Sequence, residues 1–157
     1  MTPKMERIAS FCVNHDRLTE GLYVSRIDKD VITYDVRMKR PNAGDYLSTG
    51  EAHTIEHLFA TYVRNSRYKD SVVYCGPMGC RTGFYLLLRD TVGKKEAIAL
   101  VREAMAFIAC FDGPIPGATR PECGNYLDQD LESARRTASR MAAILEDWTE
   151  EKLAYEM

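Results

Sequence analysis

Residues 53–57 read His53-Thr54-Ile55-Glu56-His57. On a helix, positions four apart share a face, separated by about 40° of rotation, so two imidazoles can reach one cation. Glu56 falls about 60° to the other side of His53. That position suits a base acting on a molecule held at the metal better than a third ligand. The plainer reading is the polar face of an amphipathic helix. Two of only three histidines at this spacing, with a carboxylate between them, favour the metal. Two imidazoles leave a divalent ion short of ligands, and His15 lies far upstream. Cys123, in Glu122-Cys123-Gly124 within a Pro/Gly-rich loop, is the better third ligand, because two imidazoles and a thiolate suit zinc or ferrous iron. Three protein ligands leave a position for water or substrate, as catalytic sites do. A second thiol, Cys80, closes Gly76-Pro77-Met78-Gly79-Cys80. In a Gly-rich turn beside Arg81 it is a candidate proton acceptor, with buried filler as the alternative. Cys12, Cys75 and Cys110 show no such setting. Cys110, near the end of an apolar helix, reads as core.

The histidine pair needs a helix, and residues from Thr49 to Asn65 read as one, with Ser48 or Thr49 as N-cap and Glu51 in the first turn. Ile55, Leu58, Phe59 and Tyr62 would anchor its other side to the core. Strands are expected at 20–27, 31–39, 71–75 and 82–90. Within 31–39, Ile32, Tyr34, Val36 and Met38 form the core face, which sends Arg37 to the other face or into a cleft. Further helices are expected at 94–111, with Ile98, Leu100, Val101, Met105 and Ile108 inward, and at 127–151, with Leu131, Ala134, Ala138, Met141 and Leu145 in register. Residues 1–19 look irregular, and 112–124 is the longest loop. The sum is an α+β fold: a four-stranded, mostly antiparallel sheet with helices packed on one face, in a single domain spanning 1–157.

With 157 residues, the chain is long enough to bury its own core. Apolar residues make up 45% and charged residues 28%, which excludes a disordered chain. A net charge of −2 provides no field for nucleic acid or an anionic membrane surface. No apolar run approaches spanning length, and the opening MTPKMERIAS has no apolar signal core, so a cytoplasmic protein is expected. Five cysteines, an odd number without any CxxC pair, argue against a disulfide framework.

The motifs HTIEH, PMGCRTGFY (77–85) and ECG (122–124) occur in an order and spacing that resembles the S-ribosylhomocysteine lyase (LuxS autoinducer synthase) family over nearly the whole chain. Ser10-Phe11, His15 and VRMKRPN around Arg37 fit the same pattern. HxxEH alone is not specific, because inverted-zincin peptidases share it, whereas PMGCRTGFY is. The resemblance implies an antiparallel sheet with helices on one face, and a homodimer with active sites at the subunit interface. It implies one divalent metal per subunit, ferrous iron with zinc or cobalt as alternatives, held by His53, His57, Cys123 and a water. It makes Glu56 and Cys80 the acid/base pair, and Ser10, His15 and Arg37 the lining of the substrate pocket. The implied reaction cleaves the thioether of S-ribosylhomocysteine to homocysteine and 4,5-dihydroxy-2,3-pentanedione, the precursor of autoinducer-2, by carbonyl migration and β-elimination. One position departs from the family pattern. An acidic residue that helps grip the homocysteine end is expected three residues before Pro77, where this chain has Tyr74.

Two other classes compete. One is a metallopeptidase-like hydrolase with Glu56 activating water on zinc and Glu132, on the last helix, as a further acidic ligand. The other is a non-enzymatic metal-binding protein on the same scaffold, which only the Tyr74 departure favours.

Overall fold

Strand alternation and two helix caps account for most of the architecture. A computed structural model describes residues 3–156, so the first two residues of MTPKMERIAS and the last of LAYEM lie outside it. Four strands, β1 (Gly21–Asp28), β2 (Val31–Arg37), β3 (Val72–Pro77) and β4 (Gly83–Arg89), form one sheet in the order β1-β2-β4-β3. All three pairings are antiparallel. The helices are the short α1 (Ala9–Cys12), then α2 (Thr49–Arg64), α3 (Lys94–Ala109) and α4 (Leu131–Leu145), with 3-10 turns at Lys69–Ser71 and Glu151–Leu153.

The sheet register sorts residues onto two faces. Leu22, Val36 and Phe84 stand side by side and belong to the hydrophobic core, with Ile32, Tyr34, Leu86 and Leu88. Against them α2 presents Ile55, Leu58 and Phe59, all fully buried, with the Phe59 and Phe84 rings 6.1 Å apart. Each such side chain contributes about 1.5–3 kcal/mol by leaving water. The inward residues expected on α3 are all buried. So are those on α4, apart from the half-buried Leu131. The next row, Tyr23, Asp35 and Tyr85, points to the opposite face.

Helix α2 starts at a complete capping box: Ser48 accepts from the Glu51 N–H, and Glu51 accepts from the Ser48 N–H. Glu51 is itself buried and also accepts from the Thr137 hydroxyl, which ties α2 to α4. Several boundaries differ from the sequence expectation. Strand β2 stops at Arg37, because the Met38 and Lys39 amides both turn to the Thr82 carbonyl. Helix α4 is shorter than 127–151. The Asp130 side chain caps it by accepting from the Ser133 amide, and after Leu145 the Trp148 indole reaches the Leu22 carbonyl. Helix α3 ends before Cys110, which is exposed rather than core. Cys12 is also exposed, whereas Cys75 is buried.

Candidate active site

The two imidazoles expected to share a cation do face each other. His53 Nε2 and His57 Nε2 are 3.0 Å apart, and Cys123 Sγ lies 3.3 Å from the first and 3.8 Å from the second. These three residues, each half-buried, are the one His/Cys/Asp/Glu group among the described residues that could hold a metal ion. The local chemistry orients both rings. His53 Nδ1 sits 2.8 Å from the Asp128 carbonyl and His57 Nδ1 2.7 Å from the Pro116 carbonyl. A carbonyl oxygen only accepts, so both Nδ1 atoms carry a proton, and in the neutral rings the lone pairs are on the two Nε2 atoms. The Gln129 amide nitrogen also lies 3.2 Å from His53 Nδ1, but the carbonyl contact is shorter. Two lone pairs and a sulfur converging on one point suit a divalent ion held by nitrogen and thiolate.

Two segments build this arrangement around α2. Residues 128–130 lie against its first turns, where Thr54 donates to Gln129 Oε1 at 2.7 Å and accepts from the Asp130 amide at 2.9 Å. The Pro/Gly-rich loop brings in Pro116 and Cys123, whose amide closes a turn on the Thr119 carbonyl. Gly117, at φ +73°, lets that loop pass close to the His57 ring. Glu56, between the two histidines on α2, is half-buried. Its charge and, above all, burial push the Cys75 thiol up to about 12, so that thiol is inert filler. Glu132 is exposed and paired with Arg136, away from the triad, which removes the ligand that the peptidase reading requires.

Ser10, His15, Arg37 and Cys80 gather at a second place. With Phe11, Asp35 and Tyr155 they line a cavity of about 220 Å³. Arg37 and Asp35 form a buried two-pronged ion pair, Nη2 to Oδ2 at 2.7 Å and Nε to Oδ1 at 3.1 Å. Burial works against the Arg37 charge, but Asp35 more than offsets it, and the guanidinium is held above its ordinary value. The remaining nitrogen, Nη1, donates to Thr82 Oγ1 at 2.7 Å and lies 3.9 Å from Cys80 Sγ. The thiol is in turn 3.0 Å from Thr82 Oγ1. Among the basic residues, Arg37 on β2 therefore contacts the Cys80 thiol. Arg81 takes a left-handed turn conformation, φ +60°, and its carbonyl accepts from the Leu47 amide.

The two groups lie on opposite sides of the sheet. The histidines belong to the helix that covers the core face, whereas Asp35 and Arg37 alternate to the other face. The profile of the S-ribosylhomocysteinase (LuxS) family matches residues 8–152. This chain belongs to the S-ribosylhomocysteinase family. Proteins named S-ribosylhomocysteine lyase resemble it over nearly their whole length. The one from Clostridium acetobutylicum is 49% identical over 156 residues, covering 96% of this chain and 99% of its own. The one from Clostridium beijerinckii is 49% identical over 157 residues, with the same coverage. The one from Phocaeicola vulgatus is 45% identical over 157 residues, covering 96% of this chain and 98% of its own.

Within this S-ribosylhomocysteinase chain, several participants had no motif to mark them. The carbonyls of Pro116 and Asp128 are backbone groups and leave no trace in residue type. Asp35 did leave one, since a carboxylate two residues from Arg37 on a strand must share its face. Tyr155, in the closing LAYEM, left none. Tyr74 is exposed on β3 with its ring over Gly76, where any side chain would collide with it.

Proposed function

We propose that the protein is a metal-dependent S-ribosylhomocysteine lyase that releases homocysteine and 4,5-dihydroxy-2,3-pentanedione. The observation that carries this reading is the convergence of the His53 and His57 Nε2 atoms and the Cys123 sulfur on one point, in a chain of this family. His53, His57 and Cys123 would hold one divalent ion, ferrous iron by preference, with zinc or cobalt able to take its place. When bound, such an ion would supply Lewis-acid stabilisation of negative charge on the sugar oxygens.

The chain's own groups then handle protons. Moving a carbonyl along a sugar takes proton removal at one carbon and return at its neighbour, work that two bases reaching different carbons can share. Glu56 is the carboxylate on the metal side. Cys80 is the second base, and the Arg37 guanidinium 3.9 Å from its sulfur supports that reading. Once the carbonyl reaches the third carbon, the proton on the fourth is acidic. Its loss expels the homocysteine thiolate from the fifth, and no water is added. Ser10, His15 and Arg37 line the pocket that receives the substrate.

The working unit in this proposal is a homodimer. Support comes from the sheet itself, which separates the Cys80 pocket from the histidine side of the same chain. A second copy would bring one chain's Cys80 pocket to the other's metal ligands. Thiols doing two such jobs suit a reducing cytoplasm. Among the described residues, no helix is long and apolar enough to cross a membrane. The test is anaerobic purification with metal analysis, then incubation with S-ribosylhomocysteine and a free-thiol assay. Metal near one equivalent per chain and release of homocysteine are expected. Iron-loaded protein that releases no thiol overturns the proposal.

A further inference from the structure

The Cys80 cavity has one wall that the proton chemistry above does not use. Tyr155, two residues past the last 3-10 turn, folds back across the sheet. Its ring stacks on Tyr23, with centroids 5.1 Å apart and planes 23° apart, and its hydroxyl donates to Asp35 Oδ2 at 2.7 Å. Burial, and then the Asp35 charge, push the Tyr155 hydroxyl well above its ordinary value, so it remains a donor. Asp35 is 1% exposed and accepts from Tyr155 Oη, Arg37 Nη2 and Arg37 Nε. A continuous chain of polar contacts therefore runs from Tyr155 through Asp35 and Arg37 to Thr82 and the Cys80 thiol.

We propose that Tyr155 is a positioning residue for Cys80. Its hydroxyl fixes the Asp35 carboxylate, which aims the Arg37 guanidinium, and the guanidinium faces the thiol. The two parallel hydrogen bonds lock carboxylate and guanidinium together as one unit, so whatever holds the carboxylate also holds the guanidinium. The third hydrogen bond pins Oδ2 and leaves Nη1 directed at Thr82 and Cys80. The charged or titratable groups around this thiol are Arg37 and Asp35 on β2, His15 ahead of β1, Tyr85 on β4 and Tyr155 itself. Of these, Arg37 contacts the sulfur, so its placement decides how much cationic charge a thiolate there meets. The closing segment thereby acts on the active site as well as covering the sheet.

This inference rests on the reading of Cys80 as a base, but its test needs neither metal nor substrate. The measurement is the rate of Cys80 alkylation by iodoacetamide at pH 7 in the full chain, read on the Cys80 peptide by mass spectrometry. That separates it from Cys12 and Cys110, which are exposed as Cys80 is. Tyr155→Phe keeps the ring stack and removes the hydroxyl, and about threefold slower alkylation is expected. Mere loosening of the cavity would speed alkylation, so the sign separates the two causes. Tyr23→Phe is the control, because its hydroxyl goes to the Thr19 carbonyl and not to Asp35. Unchanged or faster alkylation in Tyr155→Phe, or an equal slowing in Tyr23→Phe, overturns the proposal. A lyase assay that fails while this slowing holds would count against the proposed reaction alone.

Discussion

His53 and His57 turn their Nε2 atoms toward each other at 3.0 Å while both Nδ1 atoms are committed to backbone carbonyls. In neutral rings the lone pairs at that separation repel each other, and a bound cation relieves the repulsion. Metal binding is therefore expected to raise the melting temperature, and chelation to lower it. His57→Ala and Cys123→Ala should each drop bound metal from about one equivalent to a small fraction, as measured by plasma mass spectrometry. Glu132→Ala should keep its metal, since Glu132 is exposed and paired with Arg136.

The approach of the loop to His57 sets a second expectation. A Cβ at Gly117 would lie 3.2 Å from His57 Nδ1, and the residue has φ +73°. Gly117→Ala combines backbone strain with pressure on the ring that the Pro116 carbonyl orients. Metal affinity should fall by about tenfold, the lower end of what outer-shell changes cost. Competition with a chromogenic chelator measures it, and unchanged affinity would mean that the loop yields.

Cys80→Ala should lower kcat by at least about a hundredfold, the scale of one general base, while the metal content stays at wild-type level. The free-thiol assay and metal analysis on one preparation read both numbers. Full activity in Cys80→Ala would remove the thiol from the mechanism.

Among the described residues, Tyr34 Oη is the one buried side-chain polar atom without a hydrogen-bond partner. Burial pushes this phenol up to about 12, so it stays neutral and unpaired. Tyr34→Phe removes the unsatisfied hydroxyl and retains the ring. A gain of about 1 kcal/mol is expected in urea denaturation. A loss of similar size would show that the hydroxyl has a partner.

Asp130 caps α4, and its hydrogen bonds from Ser133 hold the carboxyl below the ordinary 3.8. Because the folded value is depressed, this contribution is present above that ordinary value. It fades as pH falls toward the folded one. Asp130→Ala should cost about 1 kcal/mol near neutrality. Asp130→Asn retains an acceptor at every pH, so its deficit relative to wild type should narrow on acidification. Urea titrations at neutral and acid pH compare the three proteins.

What could be read from residue order was local. The i, i+4 spacing put His53 and His57 on one helix face, and Ser48 with Glu51 marked where that helix begins. Alternation in β2 separated Val36 from Arg37, and the four strands and three long helices followed from the same periods, whereas the short α1 lies in a stretch expected to be irregular. These features need only the geometry of the neighbouring turn or pleat. Boundaries slipped where a long-range partner intervened, as where Thr54 takes the Asp130 amide and Leu22 the Trp148 indole. Cys110 lies outside the core because it stands about 180° round the helix from the buried Val101.

Tertiary structure decided everything that depends on how distant segments close on one another. Arg81 is next to Cys80 in the chain, yet Arg37, forty-three residues away, faces its sulfur because β2 and β4 pair in register. Tyr155 reaches Asp35 across 120 residues, and the tautomers of two histidines are set by carbonyls that carry no sequence identity. Side-chain types state what a residue can do. Which partner it meets is fixed by the packing of the whole chain, and a local pattern holds no information about that.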